Sequence, residues 1–261
     1  ALDHVHFDAK PGEVHVLLGE NGAGKSTIMK VLAGVNTNYE GEIIYKGEKI
    51  VSRSIEEQRE RGVSIIFQEL NQLKNLTVAE NIFMGRQSTK AGGQIDWKTM
   101  NRKARELLDS IHSDISEKAQ VSSLSVGQMQ MVEIAKALSF DCDIIIMDEP
   151  TSALTEKEVA SLFEIIDGLK KKGVAIVYIS HRLEEIMKIG DRLTIFRDGK
   201  YIDTVNVKDI TIDQMVAMMV GREMTDYYPK VDVKPGEKLL EVTDIRQGDT
   251  LKGISFYARA G

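Results

Sequence analysis

The positions Val14–Leu18 are apolar except at His15 and predict a short strand. It runs straight into a glycine-rich stretch, residues 19–27, and then into Ile28, Met29, Val31 and Leu32 at helical spacing. Strand, loop and helix come in the order that a phosphate cradle requires. Further apolar, β-branched runs at residues 63–67, 144–147, 174–179 and 193–196 are bounded by turn residues and predict buried strands. Between them lie amphipathic segments such as Glu156–Lys171, so strands and helices alternate and the fold class expected is α/β with a parallel sheet. Residues 77–124 hold no comparable buried strand, and residues 97–111 read as helix, which predicts a mainly helical insertion. No apolar run approaches the 18 or so residues of a membrane-spanning helix.

Residues 1–12 recur as residues 250–261, an offset of 249, with Leu2/Leu251, Phe7/Phe256, Ala9/Ala258 and Gly12/Gly261 identical. Ahead of the second copy, residues 231–238 contain Pro235 and Gly236 and read as a linker. The organisation expected is a first domain at 1–230, a linker at 231–238 and, at 239–261, the start of a second, truncated copy. The strand-like residues 239–245 would then pair near residues 2–8, in the same chain or a neighbouring one, where a first-copy equivalent is missing.

Composition adds little to the class and something to the partners. The 261 residues are 42% hydrophobic and 28% charged, as in ordinary globular proteins, and the net charge of -6 supplies no global basic field for nucleic acid. One cysteine, Cys142, lies between Asp141 and Asp143, so no internal disulfide is expected, and its acidic neighbours disfavour a thiolate. The first residues show no secretory-signal pattern. His4, His6 and His15 read as surface residues without a neighbouring metal-binding cluster.

The chemistry is carried by the loop. Gly19-Glu20-Asn21-Gly22-Ala23-Gly24-Lys25-Ser26-Thr27 matches the P-loop pattern in full. Gly22 and Gly24 allow backbone N–H groups to turn around phosphate oxygens, Lys25 would reach the β- and γ-phosphates, and Ser26 would ligate Mg²⁺. The strand at residues 144–147 ends in Asp148 and Glu149, at the carboxyl edge of the sheet beside that loop. Asp148 is expected on Mg²⁺ and Glu149 as acceptor of the proton of an attacking water. Leu124-Ser125-Val126-Gly127-Gln128, ahead of a helix starting near Met129, places a serine and a glycine at a helix N-terminus, a second anion-binding arrangement.

Together with Gln68 after the strand at 63–67 and His181 after that at 174–179, these ordered motifs resemble the ATP-binding-cassette ATPases. The resemblance implies a P-loop NTPase core with an antiparallel β region and a helical insertion at about 77–125. It implies that Leu124, Ser125, Val126, Gly127 and Gln128 form the signature motif, contacting ATP held by a facing cassette. It further implies that Gln68 touches Mg²⁺ and the attacking water, and that His181 bonds the γ-phosphate. Val126 stands where glycine is commonest in the signature, and Thr155 where many relatives carry aspartate. These variants, with residues 130–136 and 219–223, look like the tandem ATPases of bacterial importers for ribose, galactose or xylose.

On that resemblance the chain is expected to hydrolyse ATP with Mg²⁺ as the energy-coupling subunit of a monosaccharide importer, at the cytoplasmic face of the bacterial membrane. Its partners would be a second cassette, in the same parent chain or as a homodimer, a transmembrane permease, and indirectly a periplasmic or extracellular sugar-binding protein. Nucleic acid is not expected as a partner. The alternative is a soluble cassette ATPase acting on ribosomes or DNA. The family's adenine-stacking aromatic lies ahead of residues 4–8, upstream of this chain. Within residues 69–86, Leu76 and Phe83 are expected to face the permease.

Overall fold

The computed structural model describes residues 2–221 and 235–260. In chain order the strands are β1 (Val14–Leu18), β2 (Ile43–Tyr45), β3 (Glu48–Ile50), β4 (Val63–Ile66), β5 (Ile144–Asp148), β6 (Ala175–Ile179), β7 (Arg192–Arg197), β8 (Lys200–Asn206), β9 (Lys238–Gln247) and β10 (Leu251–Arg259). The α-helices are α1 (Lys25–Leu32), α2 (Ile55–Glu60), α3 (Val78–Ile82), α4 (Trp97–Ser110), α5 (Val126–Leu138), α6 (Glu156–Lys171), α7 (Leu183–Ile189) and α8 (Ile212–Val220). The chain divides into two units, Ala1–Arg222 and Glu223–Gly261.

The first unit is built on a six-stranded sheet in the order β4-β5-β6-β1-β7-β8. The pairings from β4 through β7 are parallel, and β8 closes the edge antiparallel to β7. A small antiparallel pair, β2 with β3, stands apart from this sheet. The mixed α/β fold with a parallel core, antiparallel regions and helical insertion is therefore the one expected. Parallel strands are covered on both faces, which is why β1 and β6, and even the edge strand β4, are buried along their whole length. The strand period of two divides their side chains between two apolar layers: Val14, Val16, Leu18, Ile176 and Tyr178 join one, and Leu17, Val177 and Ile179 the other.

The first layer packs against α4, α5 and α6, the second against α1 through Met29. Helix α6 shows why these segments are helices. Thr155 caps it in a capping box with Glu158, Glu156 and Glu158 occupy its first turn, Lys170 and Lys171 its last, and Leu162, Phe163 and Ile166 are buried. The insertion holds α3, α4 and a 3₁₀ turn at Val121–Ser123, and Val78, Ile82, Met100, Ala104 and Leu108 join the first apolar layer.

Several expectations are corrected. His15 is fully buried in β1, because the strand it occupies is central and not an edge. Phe83 is only 9% exposed and belongs to the core, leaving Leu73 and Met84 as the exposed apolar side chains of residues 69–86. Helix α5 begins at Val126, three residues before the expected start, since Ser125 caps it. Residues 239–245 form part of β9, whose partner is β10, antiparallel. The first repeat copy has a bridge from Asp3 to Lys200 of β8. The expected linker at 231–238 lies partly outside the described residues, as do Arg222 and Glu223 of the 219–223 motif.

Candidate functional site

Four adjacent parallel strands, β4, β5, β6 and β1, end at the same edge of the sheet. Gln68 lies just beyond β4, Asp148 and Glu149 at the end of β5, His181 just beyond β6, and the glycine loop just beyond β1. Residues far apart in sequence thus meet at the carboxyl edge, where α/β sheets place their ligands.

The loop is shaped by backbone demands. A Cβ on Gly19 would lie 2.3 Å from the Phe196 carbonyl oxygen of β7, so only glycine allows the close approach. Gly22 and Gly24 adopt left-handed conformations, φ 88° and 100°. Helix α1 begins at Lys25 with no side-chain cap and no acidic residue in its first turn. Its positive end therefore carries neither a side-chain cap nor an acidic residue of its own, which suits an anion. The Lys25 ammonium folds back to donate to the carbonyls of Gly19 (2.8 Å) and Glu20 (3.0 Å). Burial lowers its pKa, and Glu149 and Asp148 oppose that shift.

Ser26 Oγ approaches Asp148 Oδ2 at 3.4 Å. Burial, and then the neighbouring Glu149, raise the pKa of Asp148. A hydroxyl beside a carboxylate that is short of compensating charge is a donor set that fits a hard divalent cation. Glu149 has φ 47°, a left-handed backbone that a non-glycine residue rarely adopts, and its N–H donates to Ile179 O at 3.0 Å. Its carboxylate is flanked on both sides: Gln68 Nε2 donates to Oε2 at 3.2 Å, and His181 Nδ1 lies 3.2 Å from Oε1. The His181 side chain is 67% exposed and that of Glu149 is 18% exposed.

The segment Leu124–Gln128 is arranged differently. Ser125 Oγ accepts from Gln128 N (3.2 Å) and Gln128 Oε1 accepts from Ser125 N (2.9 Å), so the two close a capping box on each other. Val126 is exposed, and Gly127 is buried where a Cβ would come within 3.0 Å of Ala153 O and Glu158 Oε2. The segment thus bonds within itself and to Val121, packs against residues 153–158 and the core, and leaves the Val126 side chain exposed. Thr155, in place of aspartate, works as the N-cap of α6.

The matched family model describes the ABC transporter and covers residues 2–152. The chain belongs to the ABC transporter family. Family membership implies use of ATP with Mg²⁺. Ribose import ATP-binding protein RbsA of Clostridium perfringens is 49% identical over 262 aligned residues, covering all of this chain and 52% of that protein. Galactose/methyl galactoside import ATP-binding protein MglA of the same species is 47% identical, with all of this chain and 51% of that protein covered. The chain spans about half the length of these curated relatives. Among solved structures, the ADP conformation of MJ1267, an ATP-binding cassette of an ABC transporter, superposes with a TM-score of 0.70 at 27% identity, covering 85% of this chain and 93% of that one. The dimeric post-hydrolysis cassette MJ0796, bound to ADP and Pi, gives a TM-score of 0.70 at 25% identity, covering 79% and 90%.

Sequence reasoning missed two clusters. Asp8, Glu13 and His15 converge, but the Arg192 guanidinium donates to both carboxylates and lies 3.1 Å from His15 Nδ1, so an internal cation already occupies the centre. Glu185 is the other: it is buried among Thr151, Tyr178 and Ser180. Tyr178 carried a faint signal, since a phenol in an otherwise apolar strand needs a polar partner. Burial, then Asp141 and Asp143, push the Cys142 thiol up to about 11, in keeping with an inert role. No helix of the described residues is long and apolar enough to cross a membrane.

Proposed function

We propose that the chain is the ATP-hydrolysing cassette of a bacterial monosaccharide importer, and that its energy comes from in-line attack of water on the γ-phosphate of ATP. The observation that carries the reading is the Glu149 carboxylate held between Gln68 and His181, beside the loop and Lys25. Glu149 would take the proton of the attacking water, His181 would bond the γ-phosphate, and Gln68 would orient the water. Lys25 would exchange its two loop carbonyls for the β- and γ-phosphates, while the N–H groups of the 19–27 loop and of α1 bind the rest. Ser26, Asp148 and Gln68 would hold Mg²⁺, whose charge would offset that of the phosphates.

The exposed face of Leu124–Gln128 would meet ATP on a second cassette, from the same parent chain or a second copy, and residues 239–261 would begin that second cassette in the parent. The likeness to the ribose and galactose importer proteins supports a monosaccharide as cargo, a transmembrane permease as partner, an extracellular or periplasmic sugar-binding protein as indirect partner, and a place at the cytoplasmic face of the membrane. The test is affinity purification of the intact parent from its own cells. Recovery with integral membrane proteins is the expected result; recovery with ribosomes or DNA would favour the soluble alternative.

A further inference from the structure

Glu185 is 7% exposed and sits in the first turn of α7. Its Oε2 accepts three hydroxyl hydrogen bonds, from Tyr178 (2.8 Å), Thr151 Oγ1 (2.9 Å) and Ser180 Oγ (3.1 Å), and its Oε1 accepts from Arg182 Nη1 at 3.1 Å. Ser180 Oγ in turn accepts from the Arg182 N–H at 3.0 Å. Burying a carboxylate is costly unless donors replace its water, and here four of them do. The donors come from two places: Thr151 is two residues beyond Glu149, and Ser180 and Arg182 are the immediate neighbours of His181. One buried side chain therefore ties the segment leaving β5 to the segment leaving β6.

We propose that Glu185 is a positioning residue: by holding Thr151 and Ser180 on one carboxylate it sets the spacing between Glu149 and the His181 imidazole. The proposal rests on the hydrolytic reading of that pair. Glu149 needs such support for a physical reason. Its backbone is in a left-handed conformation that the surroundings must over-determine, and the exposed His181 side chain has little packing of its own. Misplacement of a reacting group by about 1 Å costs on the order of a hundredfold in rate, so a rigid joint at this point acts on turnover and not on the glycine loop that holds nucleotide.

The test uses the purified chain with Mg²⁺ and ATP, and compares wild type with Glu185→Gln, Thr151→Val, Tyr178→Phe, Thr151→Ser and the double variant E185Q/T151V. Melting curves, affinity for a fluorescent ATP analogue and single-turnover hydrolysis at saturating ATP are read for each. E185Q and T151V should lower the saturated rate by about ten- to a hundredfold with affinity within about twofold of wild type. T151S, which restores the hydroxyl, should recover the rate, and the double variant should fall no further than E185Q, because both cut the same joint. E185Q is the variant that risks unfolding; T151V and Y178F keep the carboxylate and decide the matter if it does. Folded T151V and Y178F with wild-type rates, a loss confined to affinity, or losses that multiply in the double variant would overturn the proposal alone. Absence of hydrolysis by wild type, in this chain and in its intact parent alike, would overturn the hydrolytic reading, and this proposal with it.

Discussion

His181 Nδ1 lies 3.2 Å from Glu149 Oε1, although 32 positions separate the two in the chain. The pairing is a consequence of strand order. β5 and β6 are parallel neighbours in the register Asp148 opposite Ile179, so the residues just beyond their ends meet above the same edge. Gln68 reaches the other carboxylate oxygen because β4 flanks β5 in the same sense.

Lys25→Ala should weaken ATP binding itself, because on the proposed reading Lys25 would touch two phosphates. Charge-assisted contacts are about twice as strong as neutral ones, so a loss of at least roughly tenfold in affinity is expected. Titration with a fluorescent ATP analogue reads it directly; unchanged affinity would mean that the loop does not hold phosphate in this way.

His15 should make the fold sensitive to acid. Burial, and then Arg192, lower its pKa from 6.5 to about 4, so between these values the unfolded chain binds a proton that the folded chain refuses. The stability contributed by neutral His15 is fully present above pH 6.5 and is lost as the pH falls toward 4, at most about 3 kcal/mol over that window. Urea unfolding of wild type and of His15→Gln across this acid range should show a shallower dependence for the variant. Parallel curves would remove His15 as the source.

Phe83→Asp should cost about 3 to 5 kcal/mol by placing an unpaired carboxylate in the core. Leu73→Asp, at a 52% exposed position, should leave the melting temperature nearly unchanged. Thermal melts separate the two. A cooperative, wild-type melt for Phe83→Asp would contradict its burial.

Gly127→Val should push the start of α5 away from Ala153 and Glu158, since even a Cβ would come within 3.0 Å of both. A lowered melting temperature is expected, whereas Val126→Gly at the exposed neighbouring position should shift it far less. Equal shifts for the two would contradict the packing described.

The parallel core and the glycine loop are legible in the sequence because their signals are local and agree with one another: an apolar run, turn residues, and a helix whose caps can be read directly, as for Glu156–Lys171. The antiparallel strand β8 leaves a weaker trace, since its residues are half-buried in a mixed polar pattern. His15 and Phe83 escape a local reading because neither strand order nor the packing of the insertion on the sheet is a local property. The capping box of Ser125 and Gln128 is visible as a pattern, yet the same residues also suit an anion site, and that reading starts α5 too late. The second repeat copy forms a strand, β10, because β9 supplies its backbone partner; the matching first copy has a bridge at Asp3.

On the proposed reading Glu149 is the base for ATP hydrolysis. Single-turnover hydrolysis by Glu149→Gln at saturating ATP and Mg²⁺ tests it most directly, because the amide keeps the shape of the side chain and cannot take the proton. The expected rate is lower by roughly 10² to 10⁴, with ATP still bound at wild-type affinity. A near-wild-type rate would contradict it.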